Sequence, residues 1–190
     1  MRRKIILIIG SVFIIIGIGY LAMLKSPVKQ PFHENPSVFN GQCPIEIEER
    51  IVRGGSLQGL IEDGQTVKVL FGYYNCHKIE RGDVVLYDFA GNKEPVIKIV
   101  KGIEGDSFHL VKVDGGYHIL INGEIIKNAQ GEPYLIDQSG YKMLSLYEKD
   151  YSGIIPKDAY LILGNLTYGS LDSTRFGLID KSDILGKVEY

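Results

Sequence analysis

With 190 residues, 45% of them hydrophobic, the chain is long enough for one anchored domain and too short for two large ones. A net charge of −2 leaves no electrostatic footprint for nucleic acid, which excludes that class of partner. Two cysteines, Cys43 and Cys76, are too few for a disulfide framework, although a single bridge between them suits an oxidising compartment.

The first element is a basic tail, residues 1–4 ("MRRK"), followed by residues 5–24, which carry no charge. At 1.5 Å per residue that run is long enough to cross a hydrocarbon core roughly 30 Å thick. A lipid-buried backbone must satisfy its own hydrogen bonds, so the run is predicted to be a single transmembrane helix. The basic flank favours a cytoplasmic N-terminus and an extracytoplasmic remainder, in a plasma membrane, although Lys25 and Lys29 narrow the bias. A cleaved signal peptide is the competing reading, but the apolar run is long for one and no clear A-x-A-like site follows it. Residues 25–44, with four prolines, are expected to be a spacer.

From residue 45 to residue 190 the pattern becomes that of strands. "IEIEERIVR", "TVKVLFGYY", "DVVLYDF", "PVIKIVKGI", "SFHLVKV" and "YHILI" are rich in β-branched and aromatic residues. Turns are marked by Asp114-Gly115-Gly116 and Asn122-Gly123, and "YLILGN" and "ILGKVEY" supply late strands. Residues 129–154 are polar and irregular and are expected to form an insertion or long loop. The fold class is therefore mainly β: an N-terminal membrane helix followed by one β-rich exported domain.

Metal and cofactor chemistry find no pattern here. His33, His77, His109 and His118 are scattered without ligand spacing, and neither a phosphate-binding loop nor a G-x-S-x-G elbow occurs. The adjacent Cys76 and His77 would point to opposite faces of a strand, which argues against a thiol and its base. Serine remains. Ser56 follows Gly54-Gly55 directly after an alternating run, and a serine hydroxyl attacks only once a base removes its proton. A lysine serves if burial brings its pKa towards neutrality. Lys98, flanked by Val96, Ile97, Ile99 and Val100, is one candidate; Lys101, next to Gly102, is the rival.

Four ordered blocks then carry a resemblance: "GGSLQGLIEDGQTVKV", "KIERGDVVLYDF", "VIKIVKGIEGD" and "GNLTYGSLDSTRFG". Their order and spacing resemble the boxes of bacterial type I signal peptidases, membrane-anchored serine peptidases with a Ser-Lys dyad. The resemblance runs from about Ile45 to the C-terminus. It implies that Ser56 is the nucleophile, Lys98 the general base and Ser170 the hydroxyl that orients the lysine, with Asp172 and Ser173 in the polar network around it. Ser56 and Gly54 fall at the oxyanion positions, Gly54 where some members carry a hydroxyl. The implied partners are exported preproteins, cut after small residues in an Ala-x-Ala-like pattern through an acyl-enzyme, and the lipid bilayer through residues 5–24.

The chain also departs from the family. Gly59 stands where proline is usual, and Gly164-Asn165-Leu166-Thr167 replaces Gly-Asp-Asn-Arg, losing an acid and a cation together as though a salt bridge had been removed. Arg175 falls one place later than the family's arginine. Two further readings are a catalytically inactive peptide-binding relative and a Ser-Lys peptidase with one dedicated substrate.

Overall fold

The computed structural model describes residues 43–90 and 94–190. The transmembrane helix expected at 5–24, and all of the spacer before residue 43, lie outside the described residues. Among the described residues no helix is long and apolar enough to cross a membrane.

Ten strands dominate. Seven form one antiparallel sheet in the order β1 (Glu46–Ile51), β2 (Thr66–Phe71), β10 (Ile184–Glu189), β3 (Val84–Tyr87), β4 (Val96–Gly102), β8 (Ala159–Leu163) and β9 (Ile179–Asp180). The other three, β5 (Phe108–Val113), β6 (Gly116–Ile121) and β7 (Glu124–Ile125), form a small meander. The Asn122-Gly123 turn between β6 and β7 has positive φ at both residues (53° and 81°), the geometry for which a two-residue hairpin selects Asn-Gly. The C-terminal strand β10 is inserted between β2 and β3, so the chain end ties the first hairpin to the centre of the sheet.

Residues 129–154 are not a long loop throughout. They contain the helix α1 (Gln138–Asp150), capped by Asp137, whose carboxylate accepts from Gly140 N–H at 2.7 Å. Tyr141, Leu144 and Tyr147 fall three residues apart, but Met143 and Leu146 interrupt the polar positions between them and blur the stripe. Its burial comes from long-range packing: Leu144 joins Phe108, Ile119, Tyr134, Leu161 and Leu163 in one apolar cluster, and the Tyr141 ring stacks on Tyr117 at 4.0 Å. This cluster braces one face of β8, the strand that leads into Gly164. A second short helix, α2 (Ser173–Phe176), follows the Gly-Ser-Leu-Asp-Ser run.

The Arg-Gly-Asp and Gly-Ile-Glu-Gly-Asp blocks are structural clamps. Arg81 donates to Lys101 O and to the Asp106 carboxylate, both at 2.6 Å, and Asp106 also accepts from Ile103 N–H and Asn122 Nδ2. Asp83 accepts from Tyr74 OH, Glu80 N–H and Lys187 Nζ. Cys43 and Cys76 are joined in a disulfide, tying the chain just ahead of β1 to the turn that follows β2.

Candidate active site

Ser56 sits at the start of a single coil turn between β1 and β2. The turn closes through Gln58 N–H to Gly55 O, and Leu60 and Ile61 N–H to Leu57 O. Leu57 and Ile61 are both buried in the cluster formed by Val52, Val67, Val69 and Ile99, so the apolar side chains anchor the turn while Ser56 remains partly accessible. Gly59 has φ +82°, and a proline, held near −65°, could not adopt that conformation. This departure therefore builds a different turn rather than a looser one, and Gly59 O accepts from Gln130 Nε2 at 3.0 Å.

Lys98 lies in β4, between β3 and β8, with Val85 directly opposite it. The residue is only 3% exposed. Its Nζ lies 2.9 Å from Ser56 Oγ and donates to Ile97 O at 2.8 Å. Burial among β-branched side chains lowers its pKa to about 8, while the nearby Asp172 carboxylate works in the opposite direction. The rival Lys101 is turned elsewhere: its Nζ donates to Lys127 O at 2.9 Å and sits over the Tyr134 ring.

The fourth block comes up to Ser56 and Lys98 along β8. Gly164 stands between the two serines: a Cβ there would lie 2.7 Å from Ser56 O and 2.5 Å from Ser170 Oγ. Only glycine permits that approach. Asp172 caps α2, accepting from Thr174 N–H and Oγ1, and with its other oxygen accepts from Gly164 N–H at 2.9 Å. Ser173 Oγ accepts from Ile162 N–H at 2.9 Å, so its role is to pin α2 to β8.

Two expectations shift on these distances. Among the described residues Ser170 Oγ is buried without a hydrogen-bond partner, and the second bond that fixes Lys98 Nζ goes to Ile97 O instead. Gly54, with no side chain, gives its N–H to Asp63 at 2.8 Å and has no donor left for an oxyanion. Among the described residues the Ser56 amide has no acceptor.

Asn165 and Tyr134 were not singled out from the sequence as site residues. Asn165, 1% exposed, donates from Nδ2 to Gln58 O and Gln130 Oε1 and accepts from Ala129 N–H. Its own N–H donates to Ser56 O at 2.7 Å. The missing acid is thus a neutral amide with every side-chain group engaged. Tyr134 OH donates to Gly164 O at 2.6 Å, and burial pushes its phenol above the ordinary value. No periodicity marks either residue; both matter because distant segments meet at Gly164. Arg175 forms a two-bond ion pair with Asp137, linking α2 to the start of α1.

Ser56 and Lys98 open into a cleft of about 600 Å3 between the end of β1 and the start of β4, walled by Val52, Leu86, Val96 and Ile97. A buried amine whose pKa is lowered to about 8, against a hydroxyl and beside an extended cleft, is an arrangement for nucleophilic attack on an acyl group of a chain molecule.

Comparisons with known proteins agree with this chemistry. Residues 43–190 match the family model described as signal peptidase, peptidase S26. A signal peptidase IB of Staphylococcus aureus (strain COL) is 34% identical over 150 residues, 73% of this chain and 74% of the relative. A signal peptidase I P of Bacillus subtilis subsp. natto is 29% identical over 147 residues, 75% of each chain. Among solved structures, a signal peptidase I from Enterococcus faecalis V583 is similar at a TM-score of 0.44 and 22% identity, covering 60% of this chain and 98% of that one.

Proposed function

The chain belongs to the signal peptidases of peptidase family S26, and on that premise we propose how its site cuts. It is a serine endopeptidase. Uncharged Lys98 takes the Ser56 proton as Oγ adds to the scissile carbonyl, and the ammonium so formed protonates the departing amine. The carbonyl oxygen, now negative, is held by the Ser56 amide. Water, deprotonated by the same lysine, then releases the acyl chain. The observation that carries this reading is the 2.9 Å separation of Ser56 Oγ from a lysine amine buried deeply enough to be neutral near pH 8.

Ser170 is the reserve partner of that amine. A hydroxyl both donates and accepts, and one buried without a partner costs about 1–3 kcal/mol, which favours its turning onto Lys98 as charge develops there. Substrates are exported preproteins. The segment before the cut lies extended along the β1 end, and walls of Val52, Leu86, Val96 and Ile97 favour small side chains, in keeping with an Ala-x-Ala-like preference. Residues 5–24 anchor the enzyme in the plasma membrane with the catalytic domain outside, which raises its effective concentration where signal peptides emerge.

The test is cleavage of a preprotein in detergent by the wild type, Ser56→Ala and Lys98→Met, followed across pH. Cutting by the wild type alone, with kcat/KM rising through pH about 8, is expected. Equal cutting by all three would remove both residues from the mechanism. A folded wild type that binds preprotein and never cuts would favour the peptide-binding alternative.

A further inference from the structure

A second cleft, of about 340 Å3, opens beside Ser170 and is walled by Tyr134, Leu166, Tyr168 and the Arg175–Asp137 pair. It shares no lining residue with the cleft that holds Ser56 and Lys98. Gly164 packs against both Ser56 O and Ser170 Oγ, so the second cleft, lined by Ser170, begins close to the turn that carries Ser56. The loop that forms the outer wall is fixed to the nucleophile itself: Asn165 and Leu166 N–H both donate to Ser56 O, at 2.7 and 3.3 Å. It presents Leu166 (38% exposed) and Tyr168 (80% exposed) to solvent, where the family's usual motif would carry polar and cationic residues in the Leu166–Thr167 stretch.

We propose that this second cleft receives the first few residues of the departing chain, those following the cut, and that Leu166 and Tyr168 select an apolar or aromatic side chain among them. This rests on the reading that Ser56 and Lys98 cut a chain whose preceding residues fill the first cleft. A substrate that runs extended across Ser56 must leave past the first cleft, and the second cleft is lined by Leu166, whose N–H is bonded to Ser56 O, and by Ser170. The Ser170 hydroxyl, which has no partner among the described residues, is free to donate to a main-chain carbonyl of the departing segment. The one cation in its wall, Arg175, is already bonded twice to Asp137, so the cleft offers no free charge to an acidic side chain. What it offers at its outer wall is an apolar surface of Leu166 and Tyr168, suited to ring stacking.

The experiment uses the full chain in detergent with preproteins identical up to the cut and carrying Tyr, Leu, Ser or Asp among the three residues after it. The wild type is expected to favour Tyr or Leu over Asp by about 5- to 10-fold in kcat/KM, mostly through KM. Tyr168→Ser and Leu166→Ser should flatten that preference, lowering kcat/KM for the Tyr and Leu substrates at least about threefold more than for the Ser substrate. Equal kcat/KM for all four substrates, or an undiminished preference in both variants, overturns the inference. A fluorescent peptide of the departing segment, with Tyr at its second position, reads the cleft without catalysis. It should bind the Ser56→Ala chain saturably and about fivefold more weakly when Tyr168→Ser is added; no saturable binding overturns the inference even if the wild type cuts. Tyr168-dependent binding by an enzyme that never cuts would uphold the cleft and strike only the catalytic reading.

Discussion

Replacing Lys98 with methionine should abolish cleavage and make the protein more stable at neutral pH. The lysine is almost fully buried, and its pKa of about 8 lies well below the ordinary 10.5 because burial disfavours the ammonium more than Asp172 favours it. At about 1.36 kcal/mol per pH unit, that gap means the folded state below pH 8 is disfavoured by about 3 kcal/mol relative to an unfolded chain that holds the same proton freely. Between pH 8 and 10.5 the unfolded chain binds more protons than the folded one, so unfolding free energy rises with pH and the penalty fades. Methionine has a similar reach and no charge, but it leaves Ile97 O without its donor, a loss of about 1 kcal/mol. The net expectation is a gain of about 2 kcal/mol at pH 7 that vanishes near pH ~10 and turns into a loss of about 1 kcal/mol above it. Urea denaturation of the full chain in detergent at pH 7 and pH 10, for wild type and Lys98→Met, measures it. A variant that is less stable than wild type at pH 7, or equally favoured at both pH values, would refute the claim that a buried, destabilised ammonium is what supplies the base.

Three other outcomes follow from the geometry. Asn165→Asp, which restores the family's usual acid, should lower stability by about 3 kcal/mol or more, because a carboxylate cannot donate to Gln58 O and Gln130 Oε1 and would be buried without a cation; an unchanged urea midpoint would contradict this. Gly164→Ala should cut kcat about 100-fold or more with KM little altered, since its methyl must displace Ser56 or Ser170, and single-turnover kinetics separate the two parameters. Reduction, or paired Cys43→Ser and Cys76→Ser substitution, opens a loop of sequence separation 33 and should cost about 3–4 kcal/mol in the chain-entropy account. Coincident denaturation curves with and without reductant would show that the bridge carries no stability.

The strands were legible in the sequence for local reasons. A strand declares itself through β-branched and aromatic runs, and β1 to β6, β8 and β10 fall within such runs or begin one residue before them. The residues alone left Lys98 and Lys101 both open; the order of the four blocks singled out Lys98, and the structure brings its Nζ to 2.9 Å from Ser56 Oγ. What only the tertiary structure decided are the features built from residues far apart in the chain. The helix α1 gains its burial from packing on α2, β5 and β6, residues distant in the chain. Asn165 reaches Gln58, 107 residues earlier, and so shows a neutral amide bracing the turn that carries Ser56 where the sequence suggested only a lost salt bridge. Ser170 proved to be without a partner and Gly54 to have spent its amide on Asp63. Hydrogen bonds are directional over a few tenths of an ångström, and a sequence specifies which groups exist but not which of them end up within that reach.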